Sequence, residues 1–205
     1  MNHCHESKVC FLRVPKTGST AMRRMLGHRY GKLRCEVSSP RGSHVLWHEC
    51  SEEEKALSKG YLHIGAVRNP IEWLRSFYVI IINNRHLQRI FLNDMLERSE
   101  TFSQYMRKMT YTPCDWWDGL PEEEQLLVYR QEESEQFCKW LGIEHHVENV
   151  SDVQKKPEAN LSAEDYAWLL ERFEREYRYY PEERAKVHLA ATGGAADRVC
   201  ALSDI

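Results

Sequence analysis

"FLRVPKTGSTAMRRML", residues 11–26, starts as a β-strand, turns through Pro15, Lys16, Thr17, Gly18 and Ser19, and continues as a helix. A strand that ends in a tight glycine-containing turn and feeds a helix leaves several backbone N–H groups facing one concavity. The positive end of the helix dipole lies behind them, and the corner suits an anion of the phosphate type. Lys16 precedes Gly18, whereas in the nucleoside triphosphate loop G-x-x-x-x-G-K-[ST] the lysine follows the second glycine and a hydroxyl holds magnesium. No strand ending in an evident magnesium-binding Asp follows. The expected ligand is therefore phosphate-like, but not a magnesium complex of ATP.

Charge around this stretch is one-sided. From Lys8 to Arg34 the chain carries eight basic residues and no Asp or Glu, although the whole protein has a net charge of -3. The overall balance argues against a nucleic-acid-binding surface. The local excess suits an anionic small ligand or a sulfated or carboxylated acceptor, against the plainer reading of a solvated helix face. With 205 residues and 42% hydrophobic content, a single domain over 1–205 is expected, with residues 1–7 and 190–205 frayed. Seven scattered cysteines without C-x-x-C spacing read as reduced thiols of a cytoplasmic protein. His3-Cys4-His5 lacks a second ligand pair, so no metal is expected. No apolar run approaches the roughly 18 residues of a spanning helix, and no signal-peptide core opens the chain. An anchor, if there is one, is expected outside this sequence.

Strand-like and helix-like stretches alternate, which predicts an α/β architecture with a largely parallel sheet. Strands are expected at Val9–Val14, near Leu33–Val37 and in "YLHIGAVR", which ends at Arg68. Ser51 should cap a short helix with Glu52, Glu53 and Glu54 in its first turn. Asn69-Pro70 should open another, with Ile71, Leu74, Phe77, Tyr78, Ile81 and Ile82 on its core face. Helix is expected to continue through 90–109. "LLVYR", 126–130, reads either as a strand or as part of one helix from Pro121 to Leu141, stopped by Gly142. Ser162 should cap a last long helix that ends before Pro181.

"VRNPIEWLRSFY", 67–78, adds a second anion-binding pattern. Arg68 leaves the strand end beside the helix N-terminus, and Ser76, about a turn and a half into the helix, can present its hydroxyl to the same anion. The two stretches together resemble the sulfotransferases that use 3′-phosphoadenosine 5′-phosphosulfate (PAPS). In that family a Pro-Lys-[TSA]-Gly-[ST]-[ST] loop holds the 5′-phosphosulfate, and a strand-end Arg with a Ser eight residues later holds the 3′-phosphate. The segment from Leu141 through "NVS" at 149–151, Ser162 and the closing tyrosines is similar to the family's C-terminal stretch. The lysine in the loop and the run R-N-P-I-E are closest to the carbohydrate branch, including the heparan 2-O-sulfotransferases.

The resemblance implies a P-loop-like, three-layer α/β fold with a central, mostly parallel sheet flanked by helices. It implies PAPS as donor, 3′-phosphoadenosine 5′-phosphate (PAP) as product, and no metal. Lys16, Thr17, Gly18, Ser19 and Thr20 would hold the 5′-phosphate, with Lys16 stabilising the leaving oxygen; Arg68 and Ser76 would hold the 3′-phosphate. The acceptor would be a hydroxyl, or as the lesser alternative an amine, on a carbohydrate or small metabolite. The family places its base about twenty residues before the arginine, which favours His48, then His44, with Glu49 as a further option. Tyr111, Trp116 and Trp117 are candidates to line the acceptor pocket, and Lys155 and Lys156 to reach the nucleotide or an anionic acceptor. A non-catalytic nucleotide-binding module and a P-loop kinase of a small metabolite are the competing readings.

Overall fold

A computed structural model describes residues 1–35, 43–82, 84, 86, 87, 89, 101–146 and 160–192. Among these, β1 (Asn2–Cys4), β2 (Val9–Phe11), β3 (Leu62–Val67) and β4 (Gln125–Arg130) lie side by side in that order in one sheet. β1 runs antiparallel to β2, whereas β2, β3 and β4 are mutually parallel. The architecture is α/β, with a mostly parallel sheet flanked by helices. The chain divides into two compact units, Met1–Arg68 with Pro113–Gln154, and Asn69–Thr112 with Lys155–Ile205.

The first unit holds the sheet. β3 shows why it is central: its residues from His63 to Val67 are buried on both faces, as expected of an interior parallel strand. Ile64 and Ala66 face a core completed by Val9 and Phe11 of β2, Tyr129 of β4, and Met22, Met25 and Leu26 of helix α1 (Ser19–Tyr30). Each such buried apolar side chain contributes about 1.5–3 kcal/mol. Phe137 and Cys138 of α5 (Ser134–Trp140) close the same core, and Phe137 stacks on Tyr129 with centroids 4.4 Å apart. The alternate residues of β3 serve the other face, where His63 meets the Trp47 ring edge-on at 5.2 Å.

On that face Gly65 is required for space. A Cβ there would lie 2.9 Å from Cζ3 and 3.0 Å from Cε3 of Trp117, a ring only 8% exposed. Trp116 is buried as well. Trp117 thus packs against the middle of β3; Tyr111 is half-buried in the second unit. The segment left open at 126–130 is a strand, because its residues pair with β3 in register from Leu62↔Gln125 to Val67↔Arg130.

Two other expectations change, and one holds. Residues 2–4, expected to fray, pair with β2 through a hairpin turn at His5–Lys8 in which Lys8 takes φ 51°. The strand expected at Leu33–Val37 is reduced to a bridge between Arg34 and His3, with residues 36 and 37 outside the described residues. In α2 (Glu52–Ala56), Ser51 and Glu54 form the reciprocal cap that the acidic first turn suggested.

In the second unit, α3 (Pro70–Ile81) opens as expected: Asn69 Oδ1 accepts from the N–H groups of Ile71 and Glu72 at 3.1 and 3.3 Å. Trp73 is fully buried, edge-on to Phe77 and Phe173. Within 90–109, helix α4 covers Phe102–Lys108, and residues 90–100 lie outside the described residues. The long helix expected from Ser162 is broken into α6 (Ala163–Arg172) and α7 (Glu174–Tyr177), and α8 (Pro181–Ala191) follows. Pro181 lies past the end of α7, as expected, and also starts α8, since a first-turn residue needs no N–H partner. Asp165 caps α6 and also accepts from Ser103 Oγ at 2.8 Å and Arg107 Nε at 2.9 Å. Burial opposes its ionisation, yet these hydrogen bonds hold its carboxyl below the ordinary value.

Replacing Gly65 by Ala should force the indole of Trp117 out of its slot and destabilise the protein by about 1–3 kcal/mol, the usual cost of overpacking. Thermal unfolding of Gly65→Ala checks this, and Gly65→Ala with Trp117→Leu, which frees the space, should recover part of the loss.

Candidate functional site

The corner quoted at the outset sits at the C-terminal edge of the parallel strands, where open α/β sheets bind ligands. β2 continues past Phe11 through a hydrogen bond from Leu12 N to the Ile64 carbonyl, 2.9 Å. The chain then turns: Thr17 is buried and its Oγ1 donates to the Val14 carbonyl at 2.8 Å, locking the turn from inside. Lys16 and Gly18 both take left-handed backbone conformations, at φ 64° and 69°. Gly18 accepts this freely and is exposed; Lys16 does so against a steric penalty of about 1–2 kcal/mol.

Gly18 is the cap residue of α1 and supplies no side-chain cap; no acidic residue stands in the first turn. Ser19 is buried in the first turn, and Thr20 Oγ1 accepts from Arg13 Nη2 at 3.1 Å. The left-handed turn and the uncapped helix start together form a concavity of backbone donors suited to an anion.

Arg68, 52 positions away in the chain, is brought to this loop. Its Nη1 donates to the Lys16 carbonyl at 3.0 Å, bracing the strained residue from the end of the neighbouring strand. Gln131, one residue beyond β4, comes within 3.9 Å of the position a Cβ on Gly18 would occupy. Ser76 is half-buried on α3 in the second unit.

The two histidines differ. His44 Nδ1 lies 2.7 Å from the Arg13 carbonyl. A carbonyl can only accept, so Nδ1 carries the hydrogen, and the neutral ring keeps its lone pair on Nε2. Burial lowers His44 to about 4, so it is neutral at physiological pH; the Arg13 carbonyl works the other way, and the Arg13 guanidinium and the Met1 amino group add smaller lowering effects. His48 and Glu49 are exposed on the following 3-10 turn, Trp47–Glu49. Lys155 and Lys156 lie outside the described residues.

Arg13, Ser43 and Gln131 belong to this neighbourhood although no motif singled them out. The Arg13 guanidinium also donates to Ser43 Oγ, so one side chain ties the helix start to the segment that carries His44. The signal for Gln131 was the strand at 126–130: once that run is a parallel neighbour of β3, the residue after its end must fall beside Arg68. For Ser43 nothing short of the fold pointed there.

No helix among the described residues is long and apolar enough to cross a membrane. Among curated proteins and among solved structures, nothing matches this chain. A protein-family model described as the sulfotransferase family matches residues 1–180, which include the loop at 15–20, Arg68, Ser76 and both histidines. The chain therefore belongs to the sulfotransferase family, whose members transfer sulfuryl groups to acceptors.

Proposed function

We propose that this protein transfers the sulfuryl group of PAPS to a hydroxyl of a carbohydrate or small-metabolite acceptor, releasing PAP, without a metal. The observation that carries the reading is Lys16 in a left-handed backbone conformation where glycine would be less strained. Strain kept at a loop facing an anion corner is a mark of function. The contrast is Lys8, whose positive φ belongs to a hairpin turn.

In this reading the backbone donors of residues 16–20 and the start of α1 receive the 5′-phosphate, and Arg68 and Ser76 the 3′-phosphate. Sulfuryl transfer resembles phosphoryl transfer in needing positioning and charge stabilisation more than covalent chemistry by the enzyme. His44 Nε2 takes the acceptor's proton as the acceptor oxygen bonds to sulfur. Lys16 balances the charge left on the 5′-phosphate oxygen as its bond to sulfur breaks. The family spacing favours His48 as the base, whereas the fixed tautomer and the tie to Arg13 favour His44. A base held at about 4 is weak in the free protein, and the negative charge of a bound nucleotide raises it toward the useful range.

Titration calorimetry with PAP, using AMP and the magnesium complex of ATP as controls, is the direct test. Binding that depends on the 3′-phosphate supports the donor class; binding of the ATP complex instead would replace this reading with a kinase. Arg68→Ala should weaken PAP about 10- to 100-fold, the scale of a charge-assisted hydrogen bond, and AMP much less. Equal losses for both nucleotides would mean that Arg68 acts only by bracing the loop.

Lys16→Gly should lower sulfuryl transfer by at least about 10²-fold while leaving PAP binding largely intact. Because glycine relieves the left-handed strain, the same variant should unfold at an equal or higher temperature, with a gain of up to about 1 kcal/mol.

For the base, His44→Gln should abolish transfer and His48→Gln should be mild. A base works only when neutral, so kcat/KM for the donor, which reports the free enzyme, should hold as pH falls and decline only near pH 4. A decline centred instead near the ordinary histidine value of about 6.5 would count against His44.

A further inference from the structure

Arg13 is the only residue of the corner whose side chain and main chain both reach across to residues 43 and 44 among the hydrogen bonds described. Its Nη2 donates to Thr20 Oγ1 at 3.1 Å, its Nη1 donates to Ser43 Oγ, and its carbonyl receives the Nδ1 hydrogen of His44 at 2.7 Å. The guanidinium is half-buried, and both side-chain partners are neutral hydroxyls. A guanidinium withdrawn from water is ordinarily matched by a carboxylate. Here the neighbouring charge is Arg23, one helical turn beyond Thr20 on α1, and its buried Nε has no partner. Burial first and Arg23 second hold Arg13 below its ordinary value, which leaves it charged. Among the described residues no carboxylate pairs with Arg13, so its role there is something other than an ion pair. Its planar fork holds two hydroxyls at a fixed separation, a task that a lysine ammonium performs poorly.

We propose that Arg13 is the positioning residue of the transfer reaction: its two-armed brace fixes the segment bearing His44 against the phosphate loop, and its carbonyl holds the ring's hydrogen on Nδ1. The proposal rests on the reading of His44 as the base. Four groups bear on the ring. Arg13, at the end of β2, contributes its carbonyl and its guanidinium. The Met1 amino group, ahead of β1, donates to the Ser43 carbonyl at 3.5 Å and adds a second positive charge. Arg23 on α1 acts through its effect on Arg13. Removing the Arg13 charge while leaving the others in place should therefore make the ring easier to protonate.

The experiment uses the whole chain and needs no identified acceptor. Release of sulfate from radiolabelled PAPS, with water as the acceptor, measures turnover. Calorimetry with PAP measures nucleotide binding, and the NMR titration of the His44 ring, assigned by its loss in His44→Gln, measures the protonation state. Arg13→Gln should lower kcat about 10²-fold, the scale of a misplaced catalytic group, change PAP affinity little, and move the His44 midpoint upward. Arg13→Lys should leave the midpoint low yet still lose turnover, separating charge from geometry. Ser43→Ala, which removes one small hydroxyl and one arm of the brace, should lose turnover with an unmoved midpoint, and it carries the test if Arg13→Gln does not fold.

An unmoved His44 midpoint in Arg13→Gln, or wild-type turnover in Ser43→Ala, overturns the proposal while leaving the base reading intact. Loss of PAP binding in step with turnover makes Arg13 a nucleotide-binding residue instead, and also overturns it. Full turnover by His44→Gln overturns the base reading and the proposal together, so the two failures are told apart.

Discussion

Parallel pairing of β2 with β3 is the constraint on which the site depends. Val9, Cys10 and Phe11 pair with Leu62, His63 and Ile64, and the Leu12 N–H continues the ladder to the Ile64 carbonyl. Because the two strands run the same way, their C-terminal ends emerge together. The chain leaving one makes the loop at Lys16, and the chain leaving the other ends in Arg68. Their contact, Arg68 Nη1 to the Lys16 carbonyl, follows from the register. A slip of one residue would turn Ile64 and Ala66 away from α1 and set His63 and Gly65 in the core instead. Since that core also holds Met22, Met25 and Leu26, the register is protected by burial of the same helix whose first turn faces the anion corner.

The sheet's two faces carry different duties. One is a conventional apolar contact with α1 and α5. The other relies on a glycine, because the Trp117 ring occupies the space where any side chain at 65 would go. Trp117 thus packs against the middle of β3. At the end of the same strand, Arg68 donates to the carbonyl of the strained Lys16.

Strain and charge are concentrated within a few residues. Lys16 takes a conformation that glycine prefers, Arg13 lies beside Arg23 with only hydroxyls for partners, and His44 is half-buried and uncharged. Each arrangement is unfavourable taken alone; in the function proposed above, an entering anion would give the cations a counter-charge and the histidine more basicity.

The turn, the helix starts and the strand ending in Arg68 were legible because they rest on local rules. Gly18 permits a left-handed turn, Asn69-Pro70 and Ser162 cap helices, and apolar runs mark buried strands. The break of the C-terminal helix at Phe173 and the use of Pro181 as a helix start were not legible, since proline is compatible with both a stop and a first turn. Nor was the strand at 126–130, whose periodicity fits helix as well and which is decided only by its pairing with β3. The sequence by itself determined the left-handed turn at Gly18 and the strand ending at Arg68, because glycine and an apolar run bounded by Asn-Pro have few other local uses. The tertiary structure alone decided that Arg13 reaches Thr20 and Ser43, and that His44 has its Nδ1 hydrogen committed to a carbonyl. The contacts to Ser43 and His44 span 30 and 31 positions and that to Thr20 spans 7, and no local rule specifies which side chains a folded sheet edge will bring together.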